Sequence, residues 1–187
     1  MNTKELIEKA TNGTITKAEI KKAYDALVAQ TGDEYELLLV LGRSEAKEYK
    51  AVVERYLQAT HDPMLVKLSL QVLCRYWGLA SEYQDQLEKF IAWEDWDEEE
   101  DVRLMAIGCV AELYKKKGNP KLLKYVYDVF NDESEDEITR EAAYETLALV
   151  SGVSVNDLPQ PVHIDFASDV DADVLAKVEK LIEGKNV

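Results

Sequence analysis

The sequence is poor in histidine, cysteine, proline and glycine, with two, two, four and eight residues of these types among 187. So few histidines and cysteines leave little from which to build a zinc site of the usual kinds or a histidine-based catalytic site. We therefore predict a protein with no catalytic residues, no metal and no cofactor. His61, beside Asp62, and His163, in the C-terminal segment, are interpreted as loop histidines.

Long apolar runs are lacking as well. No segment reaches the about 18 uninterrupted apolar residues of a membrane span, and the N-terminal stretch MNTKELIEKATNGT has no apolar core typical of a signal peptide. Cys74 and Cys109 each lie in an apolar helical stretch, which is typical of buried thiols in a reducing compartment. These features predict a cytoplasmic protein.

Basic side chains are outnumbered: 22 lysines and arginines stand against 37 aspartates and glutamates, for a formal charge of −15. A protein that binds nucleic acid needs a cationic surface to displace the counterions of the phosphates, and an anionic membrane repels a surface of this sign. We therefore predict no nucleic acid and no membrane among the partners. The apolar share of 47% is large enough for a sizeable core.

The few glycines and prolines fall where helices would begin and end. Thr16 and Glu19 have the spacing of a capping box, and Asp62-Pro63 and Asn119-Pro120 each place a capping residue before a proline. No segment alternates apolar and polar residues as a strand would, so the sequence predicts an all-α fold. Further predicted helix ends are N-terminal caps at Ser44, Ser81–Gln84 and Ser134–Glu137 and left-handed C-terminal caps at Gly118, Gly152 and Gly184.

The apolar pattern repeats with a period of 36 residues. Val66, Val102 and Ile138 occupy equivalent positions, and Leu87 recurs as Leu123 at the same spacing. A unit of this length predicts two antiparallel helices, which bury both apolar faces only when the pairs stack. We predict a short α-solenoid within a single domain, 1–187. Its predicted parts are degenerate N-terminal units over 1–61, regular repeats over 62–152, and an extended segment with a final capping helix over 153–187.

Two segments carry the residues of a known repeat family. Asp62-Pro63-x-Leu65-Val66-Lys67-x-x-Leu70 resembles the signature of HEAT repeats, in which Asp-Pro opens a helix and Val-Arg precedes a small residue. Asp101-Val102-Arg103-x-x-Ala106 resembles it without the proline, and Glu137-Ile138-Thr139-x-x-Ala142 keeps the spacing alone. The resemblance covers roughly 33–150 and implies an architecture of stacked helix pairs. HEAT proteins are mostly protein-binding scaffolds, although a fold alone assigns no function.

The negative charge is concentrated in two acidic runs in the C-terminal half. Residues 94–187 have a net charge of −13, against −2 for residues 1–93. We predict a partner-binding edge made by the first acidic run, 94–101, and the second acidic run, 132–137. Its predicted residues are Glu94, Asp95, Trp96, Asp97, Glu98, Glu99, Glu100, Asp101, Asp132, Glu133, Glu135 and Asp136.

The repeat predicts that the two runs stack as neighbouring loops, at the about 10 Å separation of packed helices. That separation is close to the Debye length at cellular salt, so the runs would repel each other. Acidic residues before helices also stabilise the positive end of the helix dipole, and a solvated surface is the alternative interpretation. Trp96, with carboxylates on both sides, is predicted to be an exposed anchor for a cationic surface, whereas Trp93, Tyr127 and Phe130 are predicted to lie in the core.

These features favour a non-catalytic module that binds a basic protein, as a monomer in a 1:1 complex. In size, acidity and lack of catalytic motifs the chain is similar to the immunity proteins of bacterial toxin systems, including contact-dependent growth inhibition. That resemblance implies a basic nuclease toxin as the partner. Two alternatives stay open: a HEAT-like adaptor or regulatory subunit for an endogenous protein, and a solenoid enzyme or DNA-repair protein, for which the cationic groove is missing.

Overall fold

The computed structural model describes residues 2–158 and 164–184. Within these residues the chain is all-helical, as the sequence predicts, and it contains no strand. The α-helices are α1 Thr3–Thr11, α2 Lys17–Val28, α3 Glu34–Arg43, α4 Lys50–Arg55, α5 Pro63–Gln71, α6 Gln84–Ile91, α7 Asp101–Tyr114, α8 Pro120–Asn131, α9 Glu137–Ser151 and α10 Ala172–Ile182. Short 3₁₀ helices cover Lys47–Tyr49, Tyr56–Gln58, Ala80–Glu82 and Val155–Asp157, and a π-helical turn covers Val72–Tyr76.

Three of the predicted N-terminal caps are confirmed. The Thr16 side chain and the Glu19 carboxylate form a reciprocal capping box at the start of α2. The side chains of Asp62 and Asn119 accept backbone N–H groups at the starts of α5 and α8, each with proline as the first helical residue. At the other end of a helix, Gly152 has a φ of 98° and closes α9 in the left-handed conformation.

Other predicted helix ends are wrong. Ser44 follows α3 as its C-terminal cap instead of opening a long helix. Ser81 forms no capping box, because Tyr83 precedes α6 and the Gln84 amide donates to the Ser81 carbonyl. Asp136, and not Ser134, caps α9, since a carboxylate directly before the helix reaches the Thr139 N–H. Gly118 does not take a positive φ, so it is not the predicted left-handed C-terminal cap.

The chain divides into two compact units. The first comprises Met1–Leu79 and Asp95–Val102. In it, α3 packs against α1, α2 and α5. Gly42 permits the close approach of α3 to the π-helical turn, because a Cβ there would lie 2.7 Å from Val72 Cγ2. The Trp77 indole, fully buried, donates to the Gly42 carbonyl oxygen at 3.2 Å.

The second unit comprises Ala80–Glu94 and Arg103–Val187. Its central helix α8 packs against α6, α9 and α10. The final helix α10 docks through buried Val174 and Val178, and Glu179 on it accepts a hydrogen bond from the Tyr127 hydroxyl at 2.7 Å. The predicted last helix is therefore confirmed as a packed element.

Burial agrees with the 36-residue pattern at some positions and not at others. Val66 and Val102 are buried, and so are Leu87 and Leu123. Ile138 is 58% exposed, so the third unit does not place this residue in the core. Two of the three predicted core aromatics also depart from expectation: Trp93 is 45% exposed and Tyr127 is only partly buried, whereas Phe130 is buried.

The segment after α9 is not extended throughout, since it begins with a 3₁₀ turn over Val155–Asp157. Its predicted residues Pro159, Pro161, Val162 and His163 lie outside the described residues. Beyond them Ile164 is buried, and its N–H donates to the Glu141 carboxylate at 2.6 Å. Cys74 and Cys109 are buried, as predicted, and form no disulfide bond with each other.

Candidate functional site

The first acidic run contains a tight turn built around Asp97. This carboxylate is 3% exposed and accepts the Val102 N–H with both oxygens, at 3.0 and 3.2 Å. The Glu100 N–H bonds back to the Asp97 carbonyl oxygen, and Glu100 takes a positive φ of 54°. Asp97 therefore supplies an orphan amide at the start of α7 with an acceptor, and its burial leaves it out of reach of a partner.

Two further acids of this run have internal partners. Asp101, in the first turn of α7, pairs with Lys67 on α5. Glu94 pairs with Lys89 at 3.5 Å. The positive end of the helix dipole also stabilises the Asp101 carboxylate at the start of α7. These contacts tie the ends of the run to neighbouring helices.

The exposed acids between those ends are different. Asp95, Glu98 and Glu99 are solvent-exposed. Within the part of the chain that the structure describes, none of the three forms an ion pair or accepts a side-chain hydrogen bond. Their charges are therefore fully available to solvent or to a partner.

The second acidic run shows the same division of roles. Asp136 caps α9 and accepts the Thr139 N–H at 2.9 Å. Partial burial by itself would raise the pKa of Asp136, but hydrogen bonds from Thr139 and the charge of Arg103 outweigh it and hold the pKa below its usual value. Hydrogen bonds from the hydroxyl and the backbone of Ser134 likewise lower the pKa of Asp132.

Glu135, itself partly exposed, pairs with a buried arginine. Arg103 is 7% exposed and contacts both oxygens of Glu135 with its two terminal nitrogens, one of them at 2.8 Å. The Arg103 Nε–H donates to the Ile91 carbonyl oxygen at 3.0 Å. By contrast, Glu133 is exposed, and no described residue pairs with it.

The predicted acids of the site, Glu100 aside, thus fall into two sets. Those with an internal structural partner are Glu94, Asp97, Asp101, Asp132, Glu135 and Asp136, and Glu100 lies in the turn. Those that are exposed and unpaired are Asp95, Glu98, Glu99 and Glu133. The unpaired members of the first run belong to the first unit, and Glu133 belongs to the second. That the two runs stack as neighbours stays a prediction.

Trp96, which the sequence predicts to be exposed, is instead partly buried and lines a groove of the first unit, with α5 as the other wall. The groove has a volume of about 370 Å³ and is lined by Thr60, His61, Pro63, Met64, Trp96, Glu98, Glu99 and Asp101. Met64, in the first turn of α5, is 45% exposed. The lining of the groove therefore combines an apolar part with three carboxylates, here called its rim.

The sequence predicts the carboxylates at the rim of the groove but not Met64 on its opposite wall. Met64 directly follows the Asp62-Pro63 signal, and that signal fixes where α5 begins. Because a residue in the first turn of a helix has few helical neighbours to cover it, Met64 could have been flagged as exposed from the cap alone. The approach of the 95–101 segment to α5 has no local signal, because it depends on the Lys67–Asp101 pair.

Searches for other kinds of site give no further candidate. Across the described residues, no group of three or more histidine, cysteine, aspartate or glutamate side chains is arranged to hold a metal ion. None of the helices described is both long and apolar enough to cross a membrane. No family model matches the chain, and no curated protein or solved structure is significantly similar to it.

Proposed function

We propose that this protein is a non-catalytic module that binds a basic protein partner through its unpaired carboxylates. The observation that supports this proposal is the division of the acidic runs into structural and unpaired members. Asp97 and Asp136 cap helices, and Asp101 and Glu135 pair with cations. In the described part of the chain, four further acids neither cap a helix nor pair with a cation: Asp95, Glu98, Glu99 and Glu133.

Acids without a folding role have a cost in this chain. The formal charge is −15, so each additional unpaired carboxylate adds repulsion to the folded state. Helix-dipole stabilisation does not account for them, since other acids already occupy the helix starts. Attraction of a cationic surface is a function that these side chains can serve, because complementary charge accelerates association and excludes competing partners.

We further propose that the helix pairs stack as in a HEAT-like solenoid. Several side-chain contacts join residues about one repeat apart in sequence, which is the pattern that stacked pairs produce. Within the first unit, Lys67 contacts Asp101. Within the second, Arg103 contacts Glu135, Glu88 contacts Lys121 and Asn119 contacts Gln84.

The class of partner comes from the resemblance in profile to bacterial immunity proteins. In this proposal the partner is a basic nuclease toxin domain, and the carboxylates occupy positions that phosphates of its substrate would take. The buried thiols of Cys74 and Cys109, which are not joined by a disulfide, agree with function in a reducing cytoplasm. An adaptor for an endogenous protein would use the same acidic surface, so the test must separate the two.

Co-expression tests the proposed function directly. If the reading frame that precedes this gene ends in a small basic domain, that domain is the partner to test. We expect this chain to restore growth of cells that express the domain and to elute with it as a 1:1 complex. A housekeeping operon in place of such a domain, or no rescue and no complex, would contradict the immunity proposal.

A further inference from the structure

We propose that the groove between Trp96 and α5 seats an arginine side chain of the basic partner. This inference rests on the proposed function, because it takes the partner to be basic. It goes further by assigning one apolar and acidic depression of the first unit to one side chain. Met64, Pro63 and Trp96 form its apolar part, and Glu98, Glu99 and Asp101 form its rim.

The volume and the lining of the groove suit a long side chain that ends in a cation. At about 370 Å³ it lies near the lower end of the about 300–1,000 Å³ of small-ligand pockets. An arginine side chain has an apolar stem that can cover Met64 and a planar guanidinium that can stack on the indole of Trp96. An exposed Met64 would lose its contact with water in such a complex, and burial of this apolar surface favours binding.

The charges of the groove select the sign of the ligand and favour arginine over lysine. Three carboxylates line it, and Lys67 already neutralises one of them, Asp101. Glu98 and Glu99 are left without a cation. A guanidinium can donate to two carboxylate oxygens while its face stays on an aromatic ring, whereas an ammonium is a more strongly hydrated point charge. An anion or an uncharged apolar segment would leave these two charges uncompensated.

The three tryptophans allow a direct test by nuclear magnetic resonance. Trp77 is fully buried, Trp93 is 45% exposed outside the groove, and Trp96 lies in it. The probe is a short capped peptide of alternating glycine and arginine, compared with the same peptide carrying neutral citrulline in place of arginine. We expect the Trp96 indole resonance to shift and saturate with the arginine peptide alone, while those of Trp77 and Trp93 stay in place.

Variants assign the effect to the groove. Trp96→Leu and Glu98→Gln/Glu99→Gln should each raise the dissociation constant of the arginine peptide by about fivefold or more, followed on the Met64 methyl resonance. Trp93→Leu is the aromatic control, and Glu45→Gln/Glu48→Gln, at exposed positions of the same unit, is the charge control. Both controls should change the constant by less than about twofold.

Several results would overturn the inference. They are equal shifts with arginine and citrulline, equal shifts at Trp93 and Trp96, no saturable shift, or Glu98→Gln/Glu99→Gln binding like the wild-type protein. Failure here is distinguishable from failure of the proposed function. If Trp96→Leu leaves affinity for the basic partner intact while charge reversal on the unpaired acids weakens it, the groove inference fails and the proposed function stands.

Discussion

Two tyrosines of the second unit show how the same type of side chain can stabilise or destabilise the folded state. The Tyr144 hydroxyl accepts the Asp171 N–H at 2.7 Å and donates to the Asp169 carbonyl oxygen at 3.3 Å. The Tyr114 hydroxyl is buried and has no hydrogen-bond partner among the described residues. A buried polar group without a partner has lost its water and gained nothing in exchange.

We therefore predict opposite effects of the same substitution. Tyr114→Phe should leave the free energy of unfolding unchanged or raise it by up to about 1 kcal/mol, because it removes the unpaired hydroxyl. Tyr144→Phe should lower it by about 0.5–1.5 kcal/mol, since the partly buried hydrogen bonds to the Asp169 carbonyl and the Asp171 N–H are lost. Chemical denaturation of the two variants checks this, and equal destabilisation by both would contradict it.

The alkaline stability should change with Tyr114 as well. Burial raises the pKa of Tyr114 to about 12 in the folded protein, against about 10 in an unfolded chain. Folding thus favours the neutral form of Tyr114. The contribution of this preference to the free energy of unfolding is complete below pH about 10 and is lost as the pH rises toward 12. Unfolding measured from pH 9 to 12 should show a shallower loss of stability in Tyr114→Phe than in the wild-type protein. An identical slope would contradict the assignment.

Neighbouring acids of the first run should also differ in their effect on stability. Asp97→Ala removes the acceptor of the Val102 N–H and should lower the free energy of unfolding by about 1–2 kcal/mol. Glu98→Ala, one residue further on, should change it by less than about 0.5 kcal/mol because this side chain is exposed and unpaired. Thermal and urea unfolding of the pair provide the measurement, and a fold insensitive to Asp97→Ala would refute the capping role.

At the scale of helices, Arg103 connects three segments of the second unit. It lies on α7, pairs with Glu135 before α9 and donates to Ile91 at the end of α6. Because Arg103 is 7% exposed, its charge is desolvated, and loss of either partner leaves a polar group unpaired in a buried position. The fork of the guanidinium makes three of these bonds at once, which lysine cannot reproduce.

Arg103→Met should therefore lower the free energy of unfolding by about 2–4 kcal/mol, as it keeps the bulk of the side chain and removes the charge and the donors. The control is Lys124→Met on α8. Lys124 pairs with Asp128 at 2.7 Å, but both side chains are more than half exposed, so we expect a change below about 0.5 kcal/mol. Comparable losses in the two variants would contradict the role of Arg103.

Much of the element pattern was predictable because helix caps act locally. Asp62-Pro63, Asn119-Pro120 and the Thr16 box mark helices that the structure contains. The failures arise where two residues compete for one role. Either Ser134 or Asp136 could cap α9, and the carboxylate next to the helix has the shorter reach to the Thr139 N–H.

The sequence predicts that the candidate site is acidic, but it does not predict which of its acids are buried. Asp97 and Glu98 are both acids in an acidic run, and the sequence offers no local signal that one is buried. Asp97 is buried because of the turn in which Glu100 takes a positive φ of 54° and because the amide of Val102 needs an acceptor. Trp93 also takes a positive φ, 71°, and its exposure opposes the prediction from its apolar character.

At the scale of the whole molecule, the charge of −15 is the dominant physical feature. Surface charge affects association rates over about a Debye length, 8–10 Å at cellular salt, while it contributes little to the fold. Binding to a basic partner should therefore weaken as salt increases, and carboxylates with internal partners should contribute less to that dependence than the unpaired ones.

Affinity for the basic partner after charge reversal tests the central claim most directly. We predict that Glu98→Lys/Glu99→Lys raises the dissociation constant at least tenfold, or about 1.4 kcal/mol, by calorimetry. The free energy of unfolding should stay the same or increase, because repulsion is relieved and no internal contact is lost. Glu45→Lys/Glu48→Lys carries the same charge change at exposed positions elsewhere and should alter the dissociation constant by less than about threefold. Unchanged affinity in a folded Glu98→Lys/Glu99→Lys protein would contradict the account.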